Sequence, residues 1–119
     1  MTSSPKKRFL GLYLVPAQVM GDWAKTDPEV RKVAEEKMRA EWQQWVHEHA
    51  PMIVVTEAAG KTKNITSNGI TDIRNDIILY TIIEAESHDI AAKAFERHPH
   101  LQIPQSSIQV TEIRPMGAM

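Results

Sequence analysis

Residues 60–101 read GKTKNITSNGITDIRNDIILYTIIEAESHDIAAKAFERHPHL, and the fold turns on the middle of that stretch. From Ile77 to Ile83 the side chains alternate as a strand requires. Ile77, Leu79, Thr81 and Ile83 fall on one face, and Ile78, Tyr80 and Ile82 on the other. Both faces are apolar, which implies a strand buried on two sides.

The neighbouring pieces follow from that strand. Upstream, Lys61–Thr66 and Ile70–Ile73 flank Asn68-Gly69, a strong signal for a type I′ hairpin. Arg74-Asn75-Asp76 interrupts the return strand as a bulge or bend. Downstream, Ser87 is suited to cap a helix with Asp89 in its first turn and Ile90, Ala91, Ala94 and Phe95 as its buried stripe. Pro99 ends that helix, His100–Gln105 is a loop, and Ser106–Ile113 is the last strand.

Before residue 60 the chain repeats the scheme. Phe9–Val15 is a strand, apolar on both faces and closed by Pro16. Pro16–Lys25 reads as a connection. A helix from about Asp27 to His49 follows, capped by Thr26 with Glu29 or by Asp27 with Pro28. Its stripe is Val30, Val33, Ala34, Met38, Trp42, Trp45 and Val46. His47 and His49 lie in the last turn, where positive charge suits the helix dipole. Met52–Thr56 is a short strand.

The order strand, helix, strands, helix, strand predicts an α+β, ferredoxin-like split β-α-β fold: two helices on one face of an antiparallel sheet. Residues 8–115 form the expected single domain, with tails at 1–7 and 116–119. Two strands apolar on both sides leave the second sheet face without a cover. A homodimer packed sheet to sheet supplies one; the alternative is a monomer in which Gly11, Tyr13 and Tyr80 mark a partly solvated face.

Composition narrows the function. The 119 residues are 42% apolar and 24% charged, with 14 basic and 15 acidic side chains and a net charge of −1. Such a balance gives no general attraction to nucleic acid or to an anionic membrane. The absence of cysteine excludes disulfides, thiolate nucleophiles and cysteine-held zinc or iron–sulfur centres. No stretch reaches the roughly 18 apolar residues of a membrane span, and Phe9–Val15 reads as a strand rather than a signal segment. A cytoplasmic protein is the expectation.

The run Gly60–Leu101 resembles the YCII-related family, including its DGPF-domain branch, in the dimeric α/β-barrel superfamily. The matching pieces are Thr71-Asp72, Tyr80–Ser87, the alanine-rich helix, His98-Pro99-His100-Leu101 and the final Thr111–Pro115. The tetrapeptide that names the DGPF branch is missing, since Asp72 is followed by Ile73-Arg74-Asn75-Asp76. The resemblance implies a ferredoxin-like fold and a dimer with one small-molecule pocket per subunit. It also implies links to lyase or dehydrochlorinase chemistry in a few relatives and to haem in some superfamily members. It carries no catalytic pair residue by residue.

Two polar clusters are the candidate site. His98 and His100 flank Pro99, and in an extended segment residues two apart point the same way. Both rings then face one pocket as acid/base groups, or as two metal ligands lacking a third. Alternatively, His98 meets the last helical carbonyls and His100 sits at the surface. In the second cluster Arg74 is suited to hold an anion, with Asp72 orienting or activating a histidine and Asn75 and Asp76 beside them. The alternative there is an ion pair with turn-forming Asn and Asp side chains. Trp23 is placed either to touch a ligand or to cover the barrel mouth, Trp42 and Trp45 read as core with pocket lining as the alternative, and Lys61 and Lys63 as guards of an exposed edge or as phosphate-facing. The predicted function is a homodimer with a pocket for an unknown small molecule and cofactor-free acid/base chemistry of lyase or isomerase type. The competing prediction is a non-catalytic ligand-binding or regulatory dimer, with haem or metal binding third. No cofactor is expected.

Overall fold

The computed structural model describes residues 6–117; of the expected tails at 1–7 and 116–119, residues 1–5 and 118–119 lie outside them, and Lys7 already belongs to the first strand. Four strands build one antiparallel sheet: β1 (Lys7–Leu14), β2 (Ile53–Ala58), β5 (Ile77–Ala85) and β6 (Ser107–Ile113), in the order β2-β5-β1-β6. This is the ferredoxin-like order, and it puts the two strands that are apolar on both faces at the centre. Strands β3 (Thr62–Thr66) and β4 (Gly69–Ile73) form a separate two-stranded ribbon.

Helices α2 (Pro28–His49) and α3 (His88–Ala94) lie on one face. Asp27 settles the choice of cap: its carboxylate accepts the Glu29 amide at 2.8 Å, with Pro28 opening the helix. Ser87 caps α3 through the Ile90 amide at 3.1 Å. Residues expected as a connection are instead helical, as α1 (Ala17–Ala24). The Pro16 carbonyl starts that helix by accepting from Val19 and Met20. It buries no residue, although Val19, Met20 and Trp23 fall on one side of it at helical spacing.

Phe9, Tyr13, Trp45, Ile83, Ala85, Ala91 and Phe95 form the core between sheet and helices. Gly11 is required there, because a Cβ at this position would lie 2.8 Å from Cζ of the buried Phe95 ring. A Gly11→Ala variant is therefore expected to lose about 1–3 kcal/mol by overpacking, measured by urea unfolding. An unchanged midpoint would mean that the Phe95 ring yields freely.

Among the described residues nothing covers the other sheet face. Cross-strand register places Val55, Ile82 and Leu10 in one row and Tyr80 and Leu12 in the next, with Leu14 beyond. Polar groups surround this patch. Arg8 pairs with Glu84 at 3.5 Å, the Tyr80 hydroxyl donates to Glu57, and Gln109 and Thr111 lie on the β6 side.

Two expectations change. The stripe of α2 is covered only toward its C-terminal end: Val30 and Val33 are 56% and 68% exposed. A helix of 22 residues is about 33 Å long, and its N-terminal half runs past the core. The hairpin turn is centred on Ser67-Asn68, one residue earlier than a type I′ turn at Asn68-Gly69 would be. Gly69 takes the positive φ of 132°, Asn68 keeps an ordinary one, and the Asn68 amide donates to Thr66 Oγ1 at 3.1 Å.

Candidate functional site: a directed hydrogen-bond chain

Pro99 bends the chain after α3 into a single 3-10 turn, Pro99–Gln102. That turn carries both histidines inward. His98 and His100 are 1% and 0% exposed, so neither sits at the surface. Their rings meet Tyr13 edge-on, with centroids 5.0 and 5.2 Å away. Trp42 stacks on Tyr13 at 5.3 Å and meets His98 edge-on at 4.3 Å, while Trp45 closes against His98 at 4.4 Å. Three segments distant in sequence, β1, α2 and the 3-10 turn, thus build one aromatic box.

The protons in that box can be assigned. Nδ1 of His98 accepts the His100 amide at 3.0 Å, so it carries no hydrogen. Burial, reinforced by His100 and His49 nearby, pushes the His98 pKa down to about 3, and the ring is neutral near pH 7. Its one hydrogen is therefore on Nε2, which donates to the Tyr13 hydroxyl at 3.3 Å. Burial holds the Tyr13 pKa up at about 12, so the phenol keeps its proton and donates a hydrogen bond with it to Thr81 Oγ1 at 3.1 Å. Thr81, fully buried, lies 2.9 Å from Oγ1 of Thr56. Its hydroxyl, already accepting from Tyr13, donates to Thr56. The chain runs one way, from His98 through Tyr13 and Thr81 to Thr56, and Thr56 is exposed on the edge strand β2. Each link polarises the next.

His100 is held differently. Its Nε2 hydrogen is shared between the carbonyls of Leu14 and Ser107, each at 3.2 Å. Nδ1 is buried without a hydrogen-bond partner. Burial lowers this pKa too, against the opposing pull of the two carbonyls.

The second sequence cluster lies elsewhere. Asp72 pairs with Lys63 across the ribbon at 2.6 Å, and Asn75 Oδ1 accepts the Ile77 amide at 3.0 Å, turning the chain into β5. Asp72, Arg74, Asn75 and Asp76 are all exposed, and among the described residues no hydrogen bond or ion pair joins them to His98 or His100. Trp23 is half-buried on α1, outside the aromatic box. Within one chain, then, the two histidines come together and the hairpin residues stay apart.

Tyr13, Thr81 and Thr56 escape a reading by composition, because each sits where a strand residue is expected to serve packing. The available signal is Thr81: a hydroxyl in the middle of an isoleucine-rich buried strand needs a partner. Among the described residues no three His, Cys, Asp or Glu side chains are grouped so as to hold a metal ion. A surface groove of about 590 Å³ runs between α2 and α3, with Glu41, Glu48, Lys93 and Arg97 on its walls and Trp45 at its floor; the hydroxyl chain does not line it. No helix of the described residues is long and apolar enough to cross a membrane.

No family model matches the chain, and no curated protein does. A solved structure, the 5-chloro-2-hydroxyhydroquinone dehydrochlorinase of Burkholderia phenoliruptrix AC1100 in complex with 2,5-dihydroxybenzoquinone, is similar at 16% identity and a TM-score of 0.49, over 90% of this chain and 92% of that one.

Proposed function

We propose that this chain works as a homodimer, joined through the uncovered sheet faces, and binds a small molecule in each subunit against Thr56. The observation that carries the binding site is the one-way hydrogen-bond chain. It delivers a polarised hydroxyl donor to an exposed position, and that donor suits an acceptor oxygen such as a carboxylate, carbonyl or phenolate. His98 is then a positioning residue. Its free lone pair is already engaged by the His100 amide, so it fixes the polarity of Tyr13 rather than taking a proton. The dimer is supported by an apolar centre with a polar rim on the open face, the anatomy of protein interfaces.

Cofactor-free acid/base chemistry is the second reading, favoured by the unpaired Nδ1 of His100. That atom is the one imidazole nitrogen of the pair with an unengaged lone pair, and since it is sealed from solvent a substrate would reach it only if the aromatic box opened.

The test has two parts. By light scattering the chain is expected at twice its own mass, and Leu12→Asp at the chain mass, because it puts a carboxylate in the centre of the patch. A wild type that stays monomeric at 100 μM protein, roughly the range of a weak homodimer, would remove the dimer. For the ligand, a library of small carboxylates and phenols is screened by methyl NMR. The expected binder moves the Thr56 and Thr81 methyl signals together, and Thr56→Val weakens it about tenfold, the worth of one hydrogen bond. Binders that shift only the α2/α3 groove would overturn the assignment.

A further inference from the structure

The molecule is a slab, 56 × 45 × 19 Å, with a radius of gyration of 17.0 Å against about 13 Å for a compact chain of this length. Much of that excess is the β3–β4 ribbon. It springs from the ends of β2 and β5 and projects beyond the sheet, and nearly every one of its residues is exposed. Isolated two-stranded ribbons are marginal in water. This one also carries a directed apolar feature. Ile65 and Ile70 are directly opposite each other, hence on one face, at 73% and 65% exposure. The Lys63–Asp72 pair lies on that same face, next along the ribbon.

We infer that the ribbon is a clasp that closes on a second copy of this chain, burying Ile65 and Ile70 against it. Two observations choose that occupant. The ribbon continues β2 and β5, whose Val55, Tyr80 and Ile82 belong to the uncovered face, so a copy stacked there meets the ribbon where it overhangs. Stacking two 19 Å slabs also gives a body about as thick as it is wide. In a two-fold dimer each subunit gives one ribbon and receives one. The clasp would also carry Asp72 and Arg74 onto the other subunit, the route by which hairpin residues reach a site from which they are remote in one chain. The inference rests on the homodimer of the proposed function and names an additional part of its interface.

The chain has no cysteine, so Ile65→Cys introduces a single thiol. Maleimide labelling of that thiol is expected to be at least about tenfold slower in the dimer than after dilution to monomer. In the unaltered protein, amide exchange of 62–73 is expected to slow with dimerisation. The double variant Ile65→Asp/Ile70→Asp should raise the dimer Kd at least about 100-fold, the scale of two lost apolar anchors. A dimer whose residue 65 labels as fast as the monomer, and whose ribbon amides exchange freely, overturns the clasp and leaves the homodimer standing. A protein that never dimerises removes both.

Discussion

Lowering the pH from 7.5 to 5.0 is expected to cost the folded chain about 2 kcal/mol through His98 alone. The free imidazole titrates near 6.5, whereas the folded one is pushed down to about 3. Between those values the unfolded chain binds a proton that the folded chain refuses. The stability is therefore fully present above pH 6.5 and is lost as pH falls toward 3, at about 1.4 kcal/mol per unit. The whole window is on the order of 4–5 kcal/mol, a large part of a typical domain's stability. His100 shifts in the same direction and adds to the loss. Nothing in the box compensates: the nearest titratable groups are His49, His100 and Tyr13, and among the described residues no carboxylate bonds to either buried ring.

The measurement is urea unfolding at fixed protein concentration, since a dimer's stability depends on it. His98→Gln is the control: the amide retains an acceptor and a donor but does not titrate in this range. The wild type should lose clearly more than the variant between pH 7.5 and 5.0. Equal losses would mean that His98 is reached by water in the folded state and has no depressed pKa.

The strands were legible because burial on two faces leaves a pattern that survives without context. Ile77–Ile83 and Phe9–Val15 sit at the centre of the sheet for the reason that marked them, mainly apolar side chains on both faces. The helix caps at Asp27 and Ser87 were legible for the same local reason. Helix α1 is not, since it buries no residue and carries Gly21, a weak helix former, within its eight residues. The spacing of His98 and His100 suggests two rings facing one way in an extended segment; the rings do share the Tyr13 box, but a 3-10 turn brings them there. The spacing could not announce their surroundings, because the Tyr13 hydroxyl that meets His98 is 85 residues away in sequence. Thr56 and Thr81 became a pair only through the β2–β5 register, which no local signal fixes. Whether the hairpin cluster around Asp72 meets the histidines is not legible in the sequence, because it depends on where the β3–β4 ribbon points; within one chain the two lie apart, since that ribbon is separate from the four-stranded sheet.

Truncating Trp45 is expected to be as damaging as acid, and it ties the two halves of the structure together. Its indole stacks on Phe95 at 5.3 Å and on His49 at 4.4 Å, closes against His98, and donates to the Ala94 carbonyl at 2.8 Å. It is also the one fully buried residue of α2, which Trp42 helps to attach to the core. Trp45→Ala should cost about 3–5 kcal/mol at pH 7.5, from lost burial and the cavity left behind. Trp45→Phe keeps the stack, leaves the Ala94 carbonyl without its donor, and should cost only about 1–2 kcal/mol. The informative readout is the pH dependence. The desolvation that holds His98 at its low pKa comes in part from this ring, so water entering the Trp45→Ala cavity should let the imidazole titrate nearer its free value and flatten the loss between pH 7.5 and 5.0. A variant destabilised at pH 7.5 but just as acid-sensitive as the wild type would mean that Trp42 and Tyr13 alone keep His98 dry.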